Sequence, residues 1–576
     1  MLGFRVGYVG FPTWHVAVQT AQVVAGLVVY PADNPFYVYH TKLWTLLHQL
    51  TAPLLIGGLS EIQLSLFLSG MLGMLAFQAL TLFVYAFSRD LLLSIGAGFL
   101  VFFSRAAEYG VVYPVLLMGT EHTYGSVGLS VFVLVLGLLA SGSLRFGGLM
   151  LGVAPALHPS LGAWLWLTVA IAFVAGGRKL RTELTPSLPY VAAGAAVTAV
   201  SLGIQLAFIY DVPDVDPERV RPYIGAFIAF WDGHRRPVDV RSPGVMLNGA
   251  ALVVAAIWLV RRREELTAGA AVAATAVIVS AGLSLVFITL TWVPSERLPL
   301  WLVMLMPGRL LNVAVMAFAP MLLGLAAARA SGTAGTLLAL GIAAGLLFGR
   351  SSMLWDQLGR QHAPFDTLSA LQIGAGFMLL LGLVPPVRPD RWPLASAGRG
   401  GLTYVRWAAH VAVLAIAAYA ASQTWSLRQR PALYDRTNDT LFALAAKDST
   451  GLIATDGSFH LAQLVTRRPI LINAGALDTL SYAPESALEM NRILLDVYGL
   501  DLLEPPAGIV PGQGLIPDDF NKPVWERYSR EKWQEIRRVY NVTQVLTRAS
   551  YELDLPVAAQ LRGVRLYSIP EETTRP

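Results

Sequence analysis

Residues 13–50 read TWHVAVQTAQVVAGLVVYPADNPFYVYHTKLWTLLHQL, apolar enough for a membrane yet too interrupted to span one cleanly. As a helix, 14–27 puts His15, Gln19 and Gln22 at i, i+4 and i+7, on one face. Pro31 and Pro35, around Asp33-Asn34, break the chain. A second amphipathic run, 36–50, carries His40, Lys42 and His48 among Tyr, Trp and Leu. The pattern predicts a pair of helices lying flat at a membrane surface, polar faces toward a cavity. The competing reading is one poor transmembrane helix over 13–30 followed by a loop.

Working outward, the chain has 576 residues, 55% of them hydrophobic and 14% charged, with mean hydropathy +0.56. Many apolar runs approach the ~20 residues that cross a bilayer as a helix. The expected fold class is an α-helical polytopic membrane protein with a C-terminal soluble α/β domain. Candidate spans are 61–87, 91–106, 124–141, 146–157, 160–176, 188–210, 245–261, 267–291, 302–328, 333–349, 367–386 and 404–422. Two are short and meet at His158-Pro159, the tip of a hairpin of half-length helices. This divides the chain into interfacial helices (1–60), a transmembrane domain (61–424) and an α/β domain (425–576). In the last, 451–456, 469–473, 543–547 and 564–569 read as strands, and 484–499 and 525–540 as helices.

The net charge of +5 is small for this length and does not suggest nucleic acid. With no cysteine, disulfides, thiolate metal sites and cysteine nucleophiles are excluded. No cleavable signal peptide is visible. Basic residues concentrate in short loops: Arg89, Arg145, Arg178, Lys179 and Arg181, Arg261 to Arg263, Arg329, then Arg388, Arg391 and Arg399. With these spans all fall on one side, expected to be the cytoplasm. The other side, outside the inner (plasma) membrane, receives 1–60, 107–123, 211–244, 292–301, 350–366 and the C-terminal domain. The N-terminus then also lies outside, so a first helix is either missing or supplied by 13–30.

The unusual residues gather in the outer loops. Glu121-His122 stands just ahead of a span, and His158 sits at the hairpin tip. Arg309 lies about two turns into the candidate span that begins at 302. An intramembrane Arg is costly, and its planar guanidinium suits phosphate. Each residue has a plainer role open to it: a helix cap for Glu121 and His122, a satisfied polar residue for His158, snorkelling for Arg309, helix packing for the Gln19/Gln22 face. Together they predict one polar cavity for a lipid-linked, phosphate-bearing substrate.

The run AQVVAGLVVYPADNPFYVYHTKLW (21–44) and the order of elements over about 420 residues resemble the GT-C superfamily of polyprenyl-phosphate-dependent glycosyltransferases. The resemblance implies an inverting transfer of a sugar from a polyprenyl-phosphate lipid to a glycan or lipid acceptor. By that likeness Glu121 takes the place of the second acidic motif, orienting the acceptor or binding a divalent metal such as Mg or Mn. Arg309, with Arg297, would hold the donor phosphate, and Gln19, Gln22, His40, His122 and His158 would line the cavity. The family's first-loop Asp is absent: Thr13-Trp14-His15 stands there, leaving His15 or Asp33 as base, or a catalytically divergent member. A lipid transporter or flippase, and a non-catalytic protein on the same frame, are the alternatives.

Overall fold

A computed structural model describes residues 2–10, 17–102, 124–209, 214–232, 243–290 and 440–447, most of 451–571, and scattered positions between, notably from 292 to 325. The described chain is mostly helical, with one small C-terminal sheet. Among the described residues, three helices are long and apolar enough to cross a membrane, by length and composition: Glu61–Ser88, Leu180–Ile209 and Ala268–Leu290.

The opening stretch forms short helices. After α1 (Leu2–Gly10) come α2 (Ala17–Val24), α3 (Pro35–Lys42) and α4 (Leu46–Ile56). Asn34 caps α3: its side chain accepts a hydrogen bond from the Phe36 N–H at 2.9 Å, with Pro35 pre-set for the first turn. The run expected over 36–50 is broken at Leu43–Thr45. There Thr45 starts a new helix and donates its backbone N–H to His48 Nδ1 at 3.1 Å, a local bond that competes with helix continuation.

The bundle follows. α5 (Glu61–Ser88) begins at a Ser60/Gln63 capping box and ends at Arg89 in the left-handed conformation. Its 28 residues span about 42 Å, and α1 packs along it. α6 (Leu91–Phe102), α7 (Tyr124–Ala140), α8 (Leu144–Leu157) and α9 (Pro159–Ala175) come next. His158 is extended between α8 and α9, and its Nδ1 accepts the Leu161 N–H at 3.3 Å. The hairpin read from the sequence, turning at His158-Pro159, is therefore present, with arms of 14 and 17 residues. α10 (Gly177–Leu184) leads through a 3-10 turn into α11 (Leu188–Ile209). α8 and α11 approach so closely that a Cβ on Gly152 would sit 2.3 Å from the Val191 carbonyl oxygen. Only glycine fits there, and Thr198 Oγ1 bridges the crossing by donating to the Gly152 carbonyl at 2.7 Å. α12 (Pro217–Ala226) precedes a π turn over Phe227–Trp231, then come α13 (Pro243–Arg262) and α14 (Ala268–Leu290). The scattered positions from 310 to 325 pack into the same core.

The bundle has two unlike ends. At one, Gly269 meets the Leu139 carbonyl and Gly177 lies beside Arg263; this end holds the turns near 89, 142, 177 and 263. At the other, Tyr124 stacks on His158, and the end of α11 meets α3 and α4, Gln49 donating to the Ser201 carbonyl at 2.9 Å.

The C-terminal part caps this second end. α15 (Thr440–Lys447), α16 (Ala462–Thr466), α17 (Ala487–Ile493), α18 (Lys522–Trp525) and α19 (Arg530–Tyr540) surround strands β1 (Leu452–Thr455), β2 (Val542–Arg548), β3 (Val557–Leu561) and β4 (Val564–Ser568). The sheet order is β1-β2-β4-β3, with β1 and β2 parallel and the other pairs antiparallel. Segment 469–473 supplies one bridge, Ile453 to Ile470, instead of a full strand. β3 has no counterpart in the sequence reading; its V-A-A-Q-L is an exposed edge without alternation. Buried Arg468 clasps this domain, donating to the carbonyls of Ala445 and Gly451 and to Thr543 Oγ1 at 3.0, 2.7 and 2.8 Å. One apolar core runs from Tyr30, Phe36 and Tyr39 through Trp231 into Ile453, Leu477 and Met490. The C-terminal domain therefore shares its interior with the helices beneath it.

Candidate functional site

Gln19, Gln22 and His40 are brought together and buried. They line a closed seam, where the sequence reading expected an open cavity, and α16 fills it. Gln463 is the hub. Its amide nitrogen donates to the backbone carbonyl of Gln19 at 3.1 Å and to Gln22 Oε1 at 3.4 Å. Its amide oxygen accepts from the Tyr30 hydroxyl at 2.8 Å. Tyr30 in turn accepts the Ile470 N–H at 3.3 Å. Gln22 Nε2 donates to the Leu464 carbonyl at 3.1 Å and to Glu61 at 3.2 Å. Glu61 also pairs with Arg467 at 2.6 Å. Asn34 reaches the Leu471 carbonyl at 3.3 Å, and Lys42 pairs with Glu485.

His40 lies inside this network, its Nδ1 2.8 Å from Thr20 Oγ1, among the rings of Tyr30, Phe36 and Tyr39. Burial pushes its pKa down to about 3; the nearby His48 adds to the depression and a hydrogen bond to Gln463 opposes it. The imidazole is thus neutral across ordinary pH. Burial likewise raises the Tyr30 phenol, only partly offset by the Ile470 N–H. These groups hold two parts of the molecule together by neutral hydrogen bonds flanked by two ion pairs.

Below the seam, His48, Tyr124 and His158 form a second cluster. The Tyr124 ring stacks on His158 with centroids 4.5 Å apart and planes 18° apart, and lies 5.9 Å from His48. Both imidazoles use Nδ1 to accept a backbone N–H, from Thr45 and from Leu161. That assigns each the neutral form with its proton on Nε2.

The other expected site residues divide in two. His15, Glu121, His122 and Arg309 lie outside the described residues. Asp33 is exposed in the turn before α3, near enough to Glu489 and Arg492 of α17 to act on both electrostatically. Arg297 is exposed in a turn beyond α14. Tyr30, Glu61, Gln463 and Arg467 escaped the sequence reading. Glu61 carried the one usable signal, an acid opening a long apolar helix. Gln463 carried none, because its partners stand more than 400 positions away.

Comparison of the chain with protein-family models, with curated proteins and with solved structures finds no match in any of the three.

Proposed function

We propose that the chain is a polytopic membrane protein acting on a lipid-linked substrate at the bundle end that carries the C-terminal domain, outside the cytoplasm. The reaction proposed is transfer of a sugar from a polyprenyl phosphate to a glycan or lipid acceptor, on a GT-C-like frame. The observation that carries this reading is the sorting of the two ends. The arginine-bearing turns lie together at one end, and the hairpin tip, the surface helices and the seam lie at the other. Basic loops stay on the cytoplasmic side, so the capped end faces outward.

In this reading His15 or Asp33 takes the acceptor proton, Glu121 orients the acceptor, and Arg309 with Arg297 meets the donor phosphate as charge develops. His158 stands at the inner edge of the same end, its ring oriented by the Leu161 N–H. Glu121, the carboxylate that would hold a divalent ion such as Mg or Mn in this reading, lies outside the described residues. A non-catalytic protein on the same frame is the second reading, favoured by the commitment of the Gln22 and His40 side chains to the seam.

Full-length protein in nanodiscs, given a polyprenyl-phosphate sugar and a candidate acceptor, decides between them by mass spectrometry of the lipid. Loss of sugar from the lipid supports the transferase. Donor binding without turnover points to the non-catalytic reading, and movement of intact lipid between leaflets points to a flippase. Arg309→Lys is expected to impair donor binding while thermal stability is kept, since Lys retains charge but lacks the planar fork.

A further inference from the structure

The end of the bundle away from the sheet has its own chemistry. Its turns, 88–91, 142–147, 176–187 and 261–267, hold eight basic and four acidic residues. α10 buries Leu180 and Leu184 against α9 and α14, and this leaves Arg178 and Arg181 exposed. Arg263, also exposed, comes within 3.7 Å of the place a Cβ on Gly177 would take, which sets it beside the start of α10. Arg89 and Arg145 rest over the rings of Tyr85 and Tyr190, each 5.9 Å from the centroid. Among the described residues, none of these five arginines forms an ion pair with a carboxylate.

Guanidinium groups without a carboxylate partner, grouped at one end and some braced on tyrosine rings, suit an external anion; Arg181 also donates through Nε to the Gly177 carbonyl at 3.2 Å. We infer that this end is a docking surface for the headgroups of anionic phospholipids, with Arg178, Arg181 and Arg263 at its centre. The helices emerge from apolar surface just at these residues, where a phosphodiester plane lies within reach of an arginine side chain. Tyrosine suits the same depth, its ring apolar and its hydroxyl wet. Each basic residue near such a surface is worth about fivefold in partitioning, so three together give a preference on the order of a hundredfold.

The inference rests on the membrane placement proposed above. It is tested with the full chain reconstituted in nanodiscs of phosphatidylcholine, alone or mixed with phosphatidylglycerol. The thermal unfolding midpoint and the lipids retained in native mass spectrometry are the readouts. Phosphatidylglycerol is expected to raise the midpoint and to be retained over phosphatidylcholine. The triple variant Arg178→Gln, Arg181→Gln, Arg263→Gln should lose most of that preference while unfolding at the parent temperature in phosphatidylcholine alone. High salt should weaken the parent preference, because exposed charges are screened. The same preference in parent and variant overturns the inference, as does a parent that enters both bilayers without preference. A chain that enters neither bilayer overturns the membrane reading itself, a separable outcome. Equal retention of a soluble polyglutamate would assign the surface to an acidic polypeptide and reject the headgroup.

Discussion

Gln463 shows how much one amide does at the seam. It receives the Tyr30 hydroxyl and donates to α2 at two points. Replacing it by Leu keeps the volume and strands a buried phenol. An unsatisfied buried donor costs about 1–3 kcal/mol. Gln463→Leu is expected to loosen the seam by that amount, read as faster hydrogen exchange over 462–471 with the sheet unaffected. Unchanged exchange would show that apolar contacts alone hold the domain down.

His40 gives the seam a pH dependence whose sign follows from burial. Its pKa is about 3 in the closed seam against about 6.5 for a free imidazole. The closed form therefore disfavours the proton. The stability His40 contributes is complete above about pH 6.5 and falls as pH drops toward 3, by about 1.4 kcal/mol per unit. The groups around it are His48, Gln463, Thr20 and Tyr30, with the Lys42–Glu485 and Arg467–Glu61 pairs at the margin. Protection over 462–471, corrected for the intrinsic exchange rate at each pH, should fall as pH drops from 7 to 5, and His40→Gln should flatten that fall. An equal slope in the variant would remove His40 as the cause.

At the scale of elements, the α8–α9 hairpin depends on its tip. His158 Nδ1 satisfies one of the open N–H groups of α9, and Pro159 fills the first turn. His158→Ala removes the cap and the stacked Tyr124 contact, for an expected loss of about 1 kcal/mol or somewhat more. His158→Asn restores a capping side chain without the ring. Thermal unfolding of both in detergent separates the two contributions, and equal melting of Ala, Asn and parent would mean the tip is held by packing alone. The α8–α11 crossing is the stricter constraint. Gly152→Val drives a side chain into the Val191 carbonyl and is expected to lower the melting temperature more than either tip variant.

At the scale of the whole molecule, the C-terminal domain and the surface helices share one core, so they should be recovered as one protected unit after limited proteolysis. The side they occupy is a separate matter. A reporter active only in the cytoplasm, fused after Pro576, is expected to stay silent, and strong signal would reverse the orientation and move the proposed site with it.

Much of this architecture is local and could be read ahead of the structure. Apolar runs set α5, α7, α9, α11 and α14 within a few residues, because an uninterrupted apolar run forms a helix on its own composition. His158-Pro159 marked the hairpin for the same reason: a cap and a pre-set first turn act over three residues. Asn34-Pro35 reads in the sequence only as a break, and the structure makes it the cap and first turn of α3. β3 was illegible, since an exposed edge strand takes its form from β4 rather than from its own pattern. The polarity of Gln19, Gln22 and His40 was evident along the chain, but its purpose was not. A buried amide serves a cavity or a seam according to what stands opposite. Here that is Gln463, carried in from a domain more than 400 residues away by burial of the shared core, and only the tertiary structure sets it there.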